Sequence, residues 1–213
     1  MDPIFEFILV TIMLIVGIFG INWYKYHKSQ QVQQIQPQQP PKILEPIGRE
    51  QDCSKVVRAV KSFASRNGYE VIVPGKISFG TGVSDFDAIV VGSFGVLAVR
   101  SMGYSGQVYG SENEEKWVQT TAKGRIEFKN PLRQAQADSR LVREVLFENK
   151  LKSVPVETMC VFPSHATELI VPRSTPVYRM KDFSAQLLKD HYTDDRKVDI
   201  DAVAKALRAA VEK

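Results

Sequence analysis

Residues 84–106 read SDFDAIVVGSFGVLAVRSMGYSG. Two apolar runs flank the turn residues Gly92–Gly95, so the stretch predicts a β-hairpin centred between Ser93 and Phe94. A two- or four-residue loop with that centre pairs Val91 with Val96, Ile89 with Ala98 and Asp87 with Arg100. Directly opposed side chains share one face of a sheet, with Cβ atoms about 4.5–5.5 Å apart. An odd-numbered loop shifts the pairing by one and breaks that relationship. Met102 follows Arg100 by two and falls on the same face. The hairpin therefore brings Asp87, Arg100 and Met102 to one patch, and the expectation is an ion pair between Asp87 and Arg100.

Upstream, apolar residues at Cys53, Val56, Val57, Val60, Phe63 and Ala64 predict a helix over Glu50–Arg66, stopped by Asn67-Gly68. Tyr69–Val73 reads as a strand, followed by a Gly-rich connection, PGKISFGTGVS. That connection lacks the GK[ST] ending of a phosphate loop and leads into no helix. Downstream, Gln107–Tyr109 and Lys116–Thr120 predict short strands around the acidic turn SENEE. Asn130-Pro131 opens a helix to about Asn149, with Leu132, Ala135, Leu141, Val142, Val145 and Leu146 on its apolar side. Glu157–Phe162 is a continuous apolar strand of the buried kind. Glu168–Val171 and Val177–Arg179 predict further strands, and Asp182–Asp190 and Asp199–Glu212 two more helices. The order implies an α/β (α+β) core, a mixed sheet flanked by helices, with no internal repeat.

The first residues are of another kind. Phe7–Tyr24, FILVTIMLIVGIFGINWY, carries no charge. As a helix it spans about 27 Å, close to the hydrocarbon thickness of a bilayer. Extended to Ile4, it gives one N-terminal transmembrane helix over residues 4–24, with Trp23 and Tyr24 as interfacial anchors. The flank MDPIFE is acidic and no small-x-small cleavage site follows, which argues against a cleaved signal peptide. Lys25 and Lys28 follow the span while Asp2 and Glu6 precede it. The positive-inside rule then predicts a single-pass cell-membrane protein with its N-terminus outside and its domain in the cytoplasm. Gln- and Pro-rich residues 29–45 have too little apolar content to fold and read as a tether. The expected organisation is an anchor with flanks over 1–28, a linker over 29–45, a domain over 46–180 and a helical extension over 181–213.

Composition adds limits. The net charge of +4 comes from 28 basic and 24 acidic residues, which permits nucleic-acid contact without arguing for it. Cys53 and Cys160 sit in apolar patterns rather than in a CxxC or Cys/His cluster, so the expectation is buried free thiols and no zinc; one disulfide between them stays open. His27, His165 and His191 show no ligand spacing. Trp117 reads as core. Arg140, Arg143, Lys150 and Lys152 give the second long helix a basic side that reads as a solvated face.

Several ordered features resemble the nuclease-related domain (NERD) family: Gly48–Glu50 at the start of the first helix, FDAIVV with Asp87, GVLAV leading to GYSG at Gly103–Gly106, then Trp117, Gly124, Asn130-Pro131 and Gln134. The resemblance covers about Pro46–Tyr178. It implies the restriction-endonuclease-like PD-(D/E)xK fold, and a site drawn from the positions Glu50, Asp87, Arg100, Met102 and Gln134. In an active member an Asp and a Glu on the hairpin would hold Mg²⁺, which takes hard oxygen ligands, and a Lys two residues on would stabilise developing charge.

This chain departs from that pattern where it matters. The family's Glu-x-Lys reads Arg100-Ser101-Met102 here. An arginine stays protonated at any relevant pH, and a guanidinium beside Asp87 competes with a divalent ion. The expectation is a vestigial site with no catalytic residue, no metal and no cofactor, in a domain that binds or scaffolds. The partner is left open between the membrane surface, a nucleic acid and another protein, and so is the oligomeric state. A metal-dependent nuclease using Mg²⁺, with its missing carboxylate moved to Glu114, Glu115 or Glu127, is the alternative; in it Asp87 and Glu50 would be the metal ligands.

Overall fold

A computed structural model describes residues 49–211, with side chains from Cys53. The apolar run Phe7–Tyr24, the linker 29–45 and the Glu50 side chain lie outside the described residues. Among the described residues no helix is long and apolar enough to cross a membrane.

The first helix, α1, spans Arg49–Asn67. Its stripe Val56, Val60, Phe63 and Ala64 is buried, as the three-to-four spacing requires. Strand β1 (Glu70–Ile72) follows, then β2 (Gly75–Phe79), β3 (Gly82–Phe86), β4 (Ala88–Gly92) and β5 (Gly95–Ser101). The hairpin at Ser93-Phe94 has the expected register: Val91 opposes Val96 and Ile89 opposes Ala98. The segment read as a Gly-rich connection is itself a hairpin, with β2 and β3 paired antiparallel.

Next come β6 (Gly106–Tyr109), β7 (Lys116–Thr121), β8 (Gly124–Lys129), α2 (Pro131–Glu148) and β9 (Val156–Phe162). The chain continues through β10 (Thr167–Ile170), β11 (Val177–Arg179), α3 (Met180–Gln186), a 3₁₀ turn at Asp190–Tyr192 and α4 (Ile200–Ala210). Strand β8 was missing from the sequence reading. The helix expected over Asp182–Asp190 is shorter and earlier, and Asp190 opens the 3₁₀ turn instead.

The central sheet has the order β1-β4-β5-β9-β11. Its β1, β4 and β5 are antiparallel neighbours, and β9 joins β5 in parallel. Side chains alternate between its faces. Ile89, Val91, Val96 and Ala98 pack with Val142, Val145 and Leu146 of α2 and Val203 and Leu207 of α4. Ala88, Val90, Leu97 and Val99 pack with α1, Phe183 of α3 and Tyr192. On that second face the Tyr192 hydroxyl donates to Glu157 Oε2 at 2.9 Å and His191 Nε2 lies 3.2 Å from the same oxygen. Burial, with Glu157 adding to it, holds the Tyr192 phenol well above its ordinary range.

A four-stranded sheet, β10-β6-β7-β8, lies beside the start of α2. Trp117 is fully buried there among Val108, Phe128, Leu132 and Ala135, as the sequence reading had it. A Cβ on Gly110 would sit 2.3 Å from the Trp117 ring, so only glycine lets the indole lie against that backbone. Gly106 closes the GYSG segment at φ +78°, a conformation costly for any side chain. Asn130 fastens this sheet to the helix. Its Oδ1 accepts from the Leu132 N–H at 2.9 Å, capping α2, and its Nδ2 donates to the carbonyls of Ser111, Glu112 and Glu114.

Candidate functional site

The hairpin pairing carries Asp87 and Arg100 to the α2 side of the central sheet, the side of Ile89, Val91, Val96 and Ala98. The Asp87 N–H donates to the Val99 carbonyl at 2.9 Å, which extends the ladder one residue past β4. Its carboxylate does not meet the guanidinium. Asp87 Oδ2 accepts the Ser101 N–H, so the side chain takes over ladder bonding where strand β4 begins.

Arg100 pairs elsewhere. Its guanidinium lies 2.7 Å from Asp138 Oδ2, and both side chains are more than nine-tenths shielded. Asp138 Oδ1 accepts from the Ser84 hydroxyl at 2.8 Å. The Arg100 guanidinium also lies 5.7 Å above the Phe86 ring, within cation–π range. Arg100 Nε has no hydrogen-bond partner, and Asp138 Oδ2 meets Arg100 as a close charge contact without an aligned hydrogen bond. The expected Asp87–Arg100 pair is thus replaced by a brace from β5 to the middle of α2. The physical reason is that α2 covers this face of the sheet and presents a buried carboxylate there, while Asp87 is occupied by the nearer Ser101 amide.

Asp138 was missed from the sequence. Its signal was present: it follows Ala135 by three and precedes Leu141 and Val142 by three and four, so it sits on the buried stripe of α2. An aspartate in such a stripe is seldom buried without a partner. Next to it, the Ser139 and Thr158 hydroxyls lie 2.5 Å apart and join α2 to β9. Cys160 stands opposite Arg100 on β9, fully buried. Burial pushes its thiol up to about 12; Arg100 opposes that rise and Asp138 adds to it. No disulfide joins Cys53 and Cys160.

The remaining candidate positions separate. Met102 packs among Cys160, Phe162 and the apolar residues beside the second sheet. Gln134 is exposed on α2, one turn before Asp138. Glu50 lies in the first turn of α1. Glu114 accepts the Ser111 N–H, and Glu127 lies 3.4 Å from Lys116 across β7 and β8, so both are engaged within the second sheet. Among the described residues no three His, Cys, Asp or Glu side chains converge as metal ligands would.

Among the described residues, the Asp138 carboxylate is not open to a magnesium ion. A permanent cation already sits on the Asp138 carboxylate, and one oxygen of Asp87 is bound by a backbone N–H. Chemically, the arrangement is a structural brace.

The family model of the nuclease-related domain matches residues 48–163. This chain belongs to the nuclease-related domain family. No curated protein matches it, and no solved structure does. The match runs from just before α1 to the residue after β9, so it contains the hairpin, the second sheet and α2. Within that nuclease-related region, Gly106, Trp117 and Asn130 act in folding, as their contacts show. Strands β10 and β11 lie beyond the match yet pair with β6 and β9 inside it.

Proposed function

We propose that this chain is a membrane-anchored, cytoplasmic nuclease-related module that has given up hydrolysis and works by binding or scaffolding. The observation that carries this reading is the buried Arg100–Asp138 pair, 2.7 Å apart, on the sheet face where the family pattern would place a metal-binding carboxylate. Family membership supports a nuclease-related origin, and the PD-(D/E)xK chemistry that the family resemblance implies would be the ancestral reaction. Arginine at position 100 and methionine at 102 remove the second acid and the ammonium group that this chemistry needs. The apolar run Phe7–Tyr24, followed by Lys25 and Lys28, supports the anchor and its orientation.

The test uses the detergent-solubilised full chain. It is incubated with supercoiled plasmid and Mg²⁺ or Mn²⁺, and its melting temperature is followed across a metal titration. The reading expects intact plasmid and a melting temperature indifferent to metal. Metal-dependent nicking that Asp87→Asn abolishes would overturn it in favour of a nuclease with rearranged carboxylates.

A further inference from the structure

We propose that the solvent face of α1, together with Leu188 beside it, docks onto an anionic lipid surface. This rests on the membrane-anchor reading above and names what the tethered domain would touch. From Cys53 to Asn67 the helix carries Lys55, Arg58, Lys61 and Arg66 and no acidic residue. All four side chains are exposed. At 100° per residue they fall on one arc, opposite the buried Val56, Val60, Phe63 and Ala64. Among the described residues none of the four has a carboxylate within ion-pair distance; Arg66 only donates back to the Ser62 carbonyl of its own helix.

Such a face attracts an anionic surface, because its charges add and, among the described residues, no carboxylate pairs with them. The acids within residues 180–190 of the neighbouring segment are Asp182, held by Arg179 at 2.9 Å, and Asp190 next to Lys189.

The second observation is apolar. A cleft of about 250 Å³ between α1 and the end of α3 is lined by Ala59, Ser62, Arg66, Ser184, Leu187 and Leu188. Leu187 is buried in it, while Leu188 is 66% exposed, the most exposed large apolar side chain among the described residues. Cations flanking a protruding leucine suit a lipid headgroup layer, where the charges meet anionic headgroups and the leucine enters the acyl boundary. A groove for single-stranded nucleic acid would instead pair its cations with aromatic platforms, and among the described residues this face carries none.

Chain order agrees. Helix α1 is the first described element after the apolar run, and residues 25–48 reach at most about 80 Å. That is slack enough for the domain to lie on the bilayer, and short enough to keep the face concentrated near it.

The experiment uses the full chain in vesicles of phosphatidylcholine, with and without phosphatidylserine. Leu188→Cys in a Cys53→Ser background carries a bimane label, and nitroxide-labelled lipid is the quencher. Quenching is expected in the phosphatidylserine vesicles, falling to the phosphatidylcholine level at high salt or with Arg58→Glu/Lys61→Glu. Equal quenching in both vesicle types, or none, overturns the proposal. So does a charge-dependent bimane response to duplex DNA in place of the lipid response, which would mark a nucleic-acid interface. Release of the chain by alkaline carbonate would instead defeat the anchor reading. Docking is then decided by flotation at neutral pH: charge-dependent flotation with phosphatidylserine vesicles upholds it, and no flotation overturns it.

Discussion

The Arg100 guanidinium on β5 lies 2.7 Å from the Asp138 carboxylate on α2, and the contact is closed to water. Desolvation offsets much of the attraction in such a pair, so its net stabilisation is small, but either partner left alone is an uncompensated buried charge. Arg100→Ala is expected to lose about 3–5 kcal/mol of stability. The double variant Arg100→Met/Asp138→Leu should lose clearly less. Urea denaturation of the three proteins checks this, and equal losses in both variants would contradict a buried pair.

Asn130 joins two units at once, capping α2 and holding three carbonyls of the turn between β6 and β7. Loss of a cap costs about 1 kcal/mol, and each lost hydrogen bond to the turn carbonyls adds about 0.5–1.5 kcal/mol. Asn130→Ala should therefore destabilise by about 2 kcal/mol or more. Since Trp117 Nε1 donates to the same Ser111 carbonyl at 2.9 Å, its fluorescence should report the loosened turn. An unchanged midpoint and emission spectrum would refute that role.

Gly110 faces the Trp117 ring with no room for a methyl group. Gly110→Ala is expected to cost about 1–3 kcal/mol through overpacking, read as a drop in melting temperature. A neutral effect would mean the indole can move aside.

Cys160 titrates near 9.0 in its ordinary state and is pushed up to about 12 in the fold, chiefly by burial. Below pH 9 both folded and unfolded chains hold the proton, and this contribution to stability is fully present. Between about 9 and 12 the unfolded thiol ionises while the folded one does not, so stability falls by up to about 1.4 kcal/mol per pH unit. Cys160→Ala should remove that part of the alkaline slope in a denaturation series. In the native protein iodoacetamide should modify the half-buried Cys53 well before Cys160; the reverse order would contradict the burial.

The hairpin register was legible because the turn is symmetric about Ser93-Phe94 and strand pairing follows from it locally. The helices α1, α2 and α4 were legible from their apolar stripes and from stops such as Asn67-Gly68. The partner of Arg100 was not, because it depends on where α2 lands on the sheet, a long-range packing fact. Asp138 was nonetheless marked by its place between Ala135 and Leu141. Strand β8 was overlooked although Ile126 and Phe128 alternate with polar residues at period two. The β2–β3 hairpin was obscured by its glycines, while Ile77 and Phe86 now prove to be core. The register of the local hairpin was thus placed well, and the charge pairing across elements was not.

The proposed function puts the Arg100 guanidinium where a catalytic metal would need to sit. Electron paramagnetic resonance of Mn²⁺ titrated into the full chain measures this directly. The free-ion signal is expected to stay undiminished by the wild-type protein. A stoichiometric loss of that signal, reversed by Asp87→Asn or Asp138→Asn, would contradict it.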